Sequence, residues 1–200
     1  MGEKEIIGLL AGASFASGLN VYATLATLGL LARADVVTLP PALHPVQSWW
    51  VIGAAVVLFV IEFFGDKIPA FDLIWNALHT FVRVPIAALL AYGATAQLSP
   101  VEQLSAAALG GGVALAAHGG KIAARALVTP SPEPLSNIGL SFGEDALAIF
   151  ITWFATQHPY ATAIVVGVLV LLILLAIRYV WRALRQLFRS AEAKRFRYVN

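Results

Sequence analysis

Residues 17–25 read SGLNVYATL, and they fall in the middle of an apolar run from Ile6 to Leu31. Crossing the hydrocarbon core of a bilayer takes about 20 apolar residues. The run is therefore long enough to be a first membrane span. Gly18 and Asn20 interrupt it at its centre. Glycine lets helices approach closely, while asparagine brings a donor and an acceptor that lipid cannot satisfy. The expectation is a Gly-interrupted span with Asn20 lining a polar midplane.

The rest of the chain agrees that the solvent is lipid. Hydrophobic residues make up 60% of the 200 positions and charged residues 12%. The mean hydropathy is +0.81. Soluble domains carry about 25% charged residues, so too little polar surface remains to coat a soluble globule. There is no cysteine, which excludes disulfides and thiolate metal sites. The N-terminus opens with Glu3, Lys4 and Glu5, without a basic region ahead of a short apolar core. That pattern fits a first span and not a cleaved signal.

Six segments qualify or nearly qualify as spans: Ile6–Leu31, Trp49–Phe64, Ala70–Ala94, Gln103–Val128, Phe142–Thr156 and Tyr160–Arg185. The fifth is short enough that a re-entrant arm is the alternative. Pro-rich stretches at 34–48 and 129–139 read as loops. Ser99-Pro100-Val101-Glu102 reads as a helix start, with Ser as N-cap, Pro at N1 and Glu at N3. The fold class is thus an all-α integral membrane protein with about six transmembrane helices. Its transmembrane domain covers 1–177, in halves 6–95 and 101–177, and a basic helix and tail cover 178–200.

Lys and Arg set the expected orientation. Seven of the 13 basic residues lie from Arg178 onward, opposed by Glu192 alone. The tail should face the cytoplasm, and with six spans the N-terminus should too. A bacterial inner membrane is the implied location. Arg178, Arg182, Arg185 and Arg189 at helical spacing read as an anchor on anionic lipid, in preference to a nucleic-acid site.

Two weak alignments suggest an internal repeat. ASGLNVYATL (16–25) lies over AHGGKIAARAL (117–127), pairing Gly18 with Gly119 and Asn20 with Lys121. EFFGDKIPAFD (62–72) lies over TWFATQHPYAT (152–162), pairing Pro69 with Pro159. Three spans per half would place the halves in opposite orientations, an inverted 3+3 repeat of the kind found in transporters. Helices 1 and 4 would both be Gly-interrupted.

The scarce charges gather in EFFGDKIPAFDLIWNALHTFVR (62–83). Asp72, Asn76, His79 and Arg83 stand at i, i+4, i+7 and i+11, one stripe of a helix. Glu62 and Asp66 form a second pair at i, i+4, and Lys67 follows. Ile68 precedes a proline, so the preceding helix should end near Asp66. His118, Lys121 and Arg125 share one face of the fourth segment. Glu144 and Asp145 open the fifth, where they can pair with Lys121 or Arg125. Ionisable groups facing lipid are costly, so these should face the bundle interior or water.

Taken together, SGLNVYATLATLGLLAR, EFFGDKIPAFDLIWNALHTFVR and HGGKIAARAL resemble the bacterial membrane family catalogued as domain of unknown function 4126. The resemblance spans roughly residues 8–155. It is most specific at Glu62, Asp66-Lys67, Pro69, Asp72, His79 and Arg83. It implies a membrane protein and assigns no activity.

A transporter or channel for a small solute or ion is the leading functional expectation. Glu62, Asp66 and Asp72 would take a cation or proton, and His79 could relay protons. Arg83, Lys121 and Arg125 would take an anion instead. Whether a metal is involved stays open. The alternative is a lipid-handling or structural membrane protein. No nucleophile motif, HExxH, phosphate loop or dinucleotide fingerprint occurs, so neither an enzyme nor a cofactor is expected. The expected partners are the bilayer, a small solute or ion, and a second copy in a homodimer.

Overall fold

The computed structural model describes residues 3–65, 69–128 and 134–197, with side chains described for 6–65, 75, 78–125, 138–182 and 185–186. Among the described residues all regular structure is helical. The order is α1 (Glu3–Gly8), a π-helical turn (Leu9–Ala13), α2 (Ser14–Arg33), a 3-10 helix (Pro41–Gln47), α3 (Trp49–Gly65), α4 (Pro69–Ala94), α5 (Pro100–Val128), α6 (Pro134–Gln157) and α7 (Pro159–Arg197). By length and composition three helices can cross a membrane: Ile6–Arg33, Ile138–Gln157 and Pro159–Arg182. The 3-10 helix and α3 add a fourth candidate, bent by 59°, and Leu78–Ala94 is a shorter apolar helix.

Length and composition mislead for the first of these. Asn20 leaves the helical region, with φ −149° and ψ 105°, and the chain turns back on itself there. The descending limb, 3–19, runs alongside α6 and α5. Gly8 packs on Ala155 and Pro159, and Gly12 on Ala155, Thr162 and Ile151. Further along, Gly110 of α5 packs on Ser14, and Gly18 packs on Ala114 and Ala117. The returning limb, 21–33, rises past α3 until Gly29 meets Val46 and Ile52. As a result Leu9 and Ala13 of one limb share a core cluster with Leu28 and Ala32 of the other, together with Leu39, Leu43, Val46, Leu90 and Ala94. The segment is a helical hairpin with its tip at Asn20, not a single crossing.

The remaining helices alternate in direction around it. The stretch 34–48, the turn after Ala94 and the junction at His158 share one end of the bundle, the loop end, as the Leu43–Gly93 and Gly8–Pro159 contacts require. The long C-terminal helix α7 leaves at the other end, the tail end. Because the first segment turns back, α1 starts at the loop end. Among the described residues α1 and the C-terminal part of α7 therefore lie at opposite ends of the bundle.

The hairpin also corrects the repeat. Its descending limb and α5 run in the same direction where Gly18 meets Ala114 and Ala117, so the pairing of Gly18 with Gly119 is not an inversion. The expected interruption of the fourth segment is absent too, since α5 is one helix from Pro100 to Val128. Gly120 instead lets Ile173 of α7 approach closely. The fifth segment is longer than expected. α6 begins at Pro134, so Glu144 and Asp145 sit ten residues inside it and not at its start. Helix starts and stops are otherwise close to expectation. Ser99 and Glu102 form a reciprocal capping box, with Ser99 Oγ 2.7 Å and Ser99 N 2.9 Å from Glu102 Oε2. Arg33 stacks on Trp49 at 4.3 Å and donates to the Gln47 carbonyl at 3.1 Å, fastening the loop end.

Candidate functional site

Turning a helix back inside an apolar bundle exposes backbone groups that lipid cannot satisfy. The Asn20 side chain answers for two of them. Its side-chain oxygen accepts from the Tyr22 and Ala23 amides at 3.1 and 2.9 Å. It thereby acts as the N-cap of the returning limb. Its amide nitrogen donates to Asp145 Oδ1 at 2.8 Å. The end of the descending limb is held from α5, where Lys121 Nζ donates to the Leu19 carbonyl at 3.2 Å. The tip is thus clasped by one acid and one base.

Around Lys121 an ionic cluster spans α3, α4, α5 and α6. The Lys121 ammonium lies 3.7 Å from Glu62 Oε1 and 3.2 Å from Glu144 Oε2. Glu62 also pairs with Arg83. Glu144 pairs with Arg125, whose Nη2 is 2.6 Å from Oε2 and whose Nε is 3.3 and 3.2 Å from the two oxygens. Glu62 and Arg83 are wholly buried, while Arg125 and Glu144 lie at the edge. Among the described residues the cluster holds three acids (Glu62, Glu144, Asp145) and three bases (Arg83, Lys121, Arg125). Close pairing of opposite charges is what makes such a cluster tolerable in a low dielectric.

Two histidines extend it. A guanidinium only donates, so Arg83 at 2.8 Å fixes His118 Nδ1 as an acceptor. His118 is therefore neutral, and its Nε2–H donates to Thr80 Oγ1 at 2.8 Å. A carbonyl only accepts, so His79 Nδ1 donates to Trp75 O at 2.7 Å. Its Nε2 faces the Tyr22 hydroxyl at 2.8 Å. His79 thus joins α4 to the returning limb of the hairpin.

The fold brings together Asn20, Glu62, His79, Arg83, His118, Lys121, Arg125, Glu144 and Asp145. Arg83 finds an acid and His79 a carbonyl. Asp66 and Lys67 lie outside the described residues, and so do the side chains of Asp72, Asn76 and Arg189. Arg178, Arg182 and Arg185 are exposed on α7, far along the chain from the cluster. Sequence reasoning missed Tyr22, Thr80 and the Leu19 carbonyl. Tyr22 carried a signal, because a buried phenol needs a partner for its hydroxyl.

The model of one protein family, described as a domain of unknown function (DUF4126), matches residues 7–179. The chain belongs to the DUF4126 family. No curated protein and no solved structure matches it. The ionic cluster and all but the first residues of the hairpin of this DUF4126 chain lie inside the matched region. With several apolar helices long enough to cross a bilayer, it is a helical membrane protein.

Proposed function

We propose that this protein is a transporter or channel for a small solute or ion. One observation carries the reading: the tip of a broken helical hairpin meets a buried ionic cluster inside the bundle. Irregular backbone at membrane depth is tolerated where it lines a site or cavity, and transporters place binding sites at such breaks. Ion pairs serving packing alone would not require a helix to be broken beside them.

In a bilayer, α3, α4, α5, α6 and α7 would cross and the hairpin would enter and return, in place of six spans. Lys121, Arg125 and the basic tail lie toward the tail end, which by the positive-inside rule faces the cytoplasm. The loop end and the N-terminal helix then face outward, in a bacterial inner membrane. Arg178, Arg182 and Arg185 would grip anionic headgroups as α7 leaves the bilayer.

Flux into liposomes tests the reading. Wild type is compared with Arg83→Gln and Asp145→Asn across protons, metal cations and small anions, with labelled-lipid flip-flop followed in the same vesicles. The expected result is flux of one solute class, lost in both variants. Flip-flop without solute flux would move the protein to lipid handling. Silence in both assays from a folded wild type would leave the cluster a structural device.

A further inference from the structure

Among the described residues the exposed Trp and Tyr rings fall into two groups. Trp49 and Trp50 open α3, Tyr92 lies in the last turn of α4, Trp153 near the end of α6 and Tyr160 in the first turn of α7, all toward the loop end. Tyr179 and Trp181 lie toward the tail end, flanked by Arg178 and Arg182. Between the groups α7 exposes Ile164, Val168, Leu171, Leu172 and Leu175. Rings with a polar edge gather where hydrocarbon meets headgroups, and an arginine beside them extends its charged head into water. A helix rises about 1.5 Å per residue, so Tyr160 and Tyr179 stand about 28 Å apart along α7, close to the roughly 30 Å of a hydrocarbon core. The same rise gives the level of the ionic cluster. Trp50 and Glu62 are about 18 Å apart along α3. Arg33, stacked on Trp49, and the hairpin tip at Asn20 are about 20 Å apart along the returning limb. Gly120, beside Lys121, packs on Ile173, which stands about 20 Å from Tyr160 and about 9 Å from Tyr179 along α7. On α4 Arg83 is about 14 Å from Tyr92, and side chains lean toward the N-terminus of their helix, here the tail end. These elements agree on one level, nearer the tail-end rings.

We propose that the two groups of rings are girdles that bind the two headgroup layers of one bilayer and hold the hairpin tip and the ionic cluster off centre. The tip and cluster then lie about 20 Å from the loop-end headgroups and about 9 Å from the tail-end headgroups. The hairpin enters from the loop end and carries its broken backbone past the midplane. The way from the cluster to water is therefore shorter at the tail end. The inference rests on the membrane setting and on the packing of the helices, and it stands whether or not a solute is transported.

The test is the depth of nitroxide labels, read by electron paramagnetic resonance on the full chain in phospholipid vesicles. The chain has no cysteine, so Ile164→Cys, Val168→Cys, Leu171→Cys, Leu174→Cys and Ile177→Cys each carry one label. All five positions are exposed on α7, so the label should not disturb the fold. Oxygen concentrates at the centre of the hydrocarbon, and a water-soluble nickel chelate stays outside it. The ratio of oxygen to nickel collisions should peak at Val168 or Leu171 and be several-fold lower at Ile164 and Ile177. Labels at Trp50→Cys and Trp181→Cys should collide mainly with the chelate. A peak at Leu174 or Ile177 would put the cluster at the midplane and overturn the proposal. Hydrocarbon depth at Trp50 or Trp181 would overturn it too. So would low collision with both reagents all along α7, since protein and not lipid would then cover that face.

Discussion

Two segments of this chain are both long and apolar enough to cross a membrane, and the fold treats them in opposite ways. In the first, Ile6–Arg33, 83% of the most apolar stretch is buried; in the last, Pro159–Arg182, only 11% is. α7 is apolar on nearly every side and shows Ile164, Val168, Leu171, Leu172 and Leu175 at its surface. Lipid is a sufficient solvent for such a helix, so it needs few protein neighbours. The first segment carries Ser14, Ser17, Gly18, Asn20 and Thr24, all of them buried. Those groups cannot face lipid, so the rest of the bundle assembles around them. Hydropathy identifies the solvent of each segment, and the polar residue at its centre decides whether it crosses or turns.

The sharpest way to break this comparison is topological. The chain has no cysteine, so single cysteines report cleanly. Glu3→Cys and Val36→Cys flank the first segment. A hairpin predicts that an impermeant thiol reagent labels both from the same side of the membrane. A crossing helix predicts opposite sides. A cysteine at Tyr179, near the end of the last segment, should be labelled from the side opposite to Val36→Cys. The outcomes are all-or-none, which makes this the largest expected effect.

Stability gives the next contrast. Arg83→Leu leaves Glu62 buried without its guanidinium, and removing one partner of a buried pair is worth about 3–5 kcal/mol. Leu172→Ala on the exposed face of α7 should change stability by about 0.5 kcal/mol or less. Unfolding of both variants in the same lipid environment measures the gap. Comparable losses would mean that α7 is packed against something, a second copy included, and that its exposure in the single chain is misleading.

How much of this was legible beforehand follows the same division. The helical class, the membrane setting and most of the charged cluster could be read, because composition and i, i+4 spacing act locally. The pairing of Glu62 with Arg83 follows from two adjacent helices joined by a short connection. The hairpin was not legible. SGLNVYATL announces a break, but a break can kink a span or reverse it. The choice depends on which partners meet the freed backbone, here Lys121 and Asp145, more than 100 residues away in sequence. The length of α6 was missed because Pro-rich sequence at 129–139 reads as loop, although proline is well suited to the first turn of a helix. The false repeat pairing shows the limit of sparse matches in an Ala/Gly-rich chain.

Close packing offers a finer test of which helices hold the hairpin. A methyl group added at Gly18 would come within 2.7 Å of Ala117 Cβ and 2.9 Å of Ala114 Cα. Backbone cannot move aside cheaply, so Gly18→Ala should destabilise by about 1–3 kcal/mol. At Gly112, on the exposed face of α5, nothing lies within 4 Å. There the better helix propensity of alanine should leave stability unchanged or raised by up to about 1 kcal/mol. If both substitutions proved neutral, the hairpin would not be pressed against α5, and the clasp by Lys121 would lose its geometric basis.

The smallest effect lies at the loop end, where the chemistry is that of water. The Ser99 hydroxyl and the Ser99 amide both hold the Glu102 carboxylate, in that order of importance, and keep its pKa below the usual carboxylate value. A depressed folded-state pKa stabilises the fold at pH values above the ordinary carboxylate range. That contribution fades as the pH falls toward the folded-state pKa and is gone below it. Glu102→Gln should therefore be slightly less stable than wild type near pH 7, and the difference should close on acidification. Ser99→Ala should behave in the same way, since the cap is reciprocal. Thermal unfolding of the three proteins between pH 7 and pH 3 reads this directly.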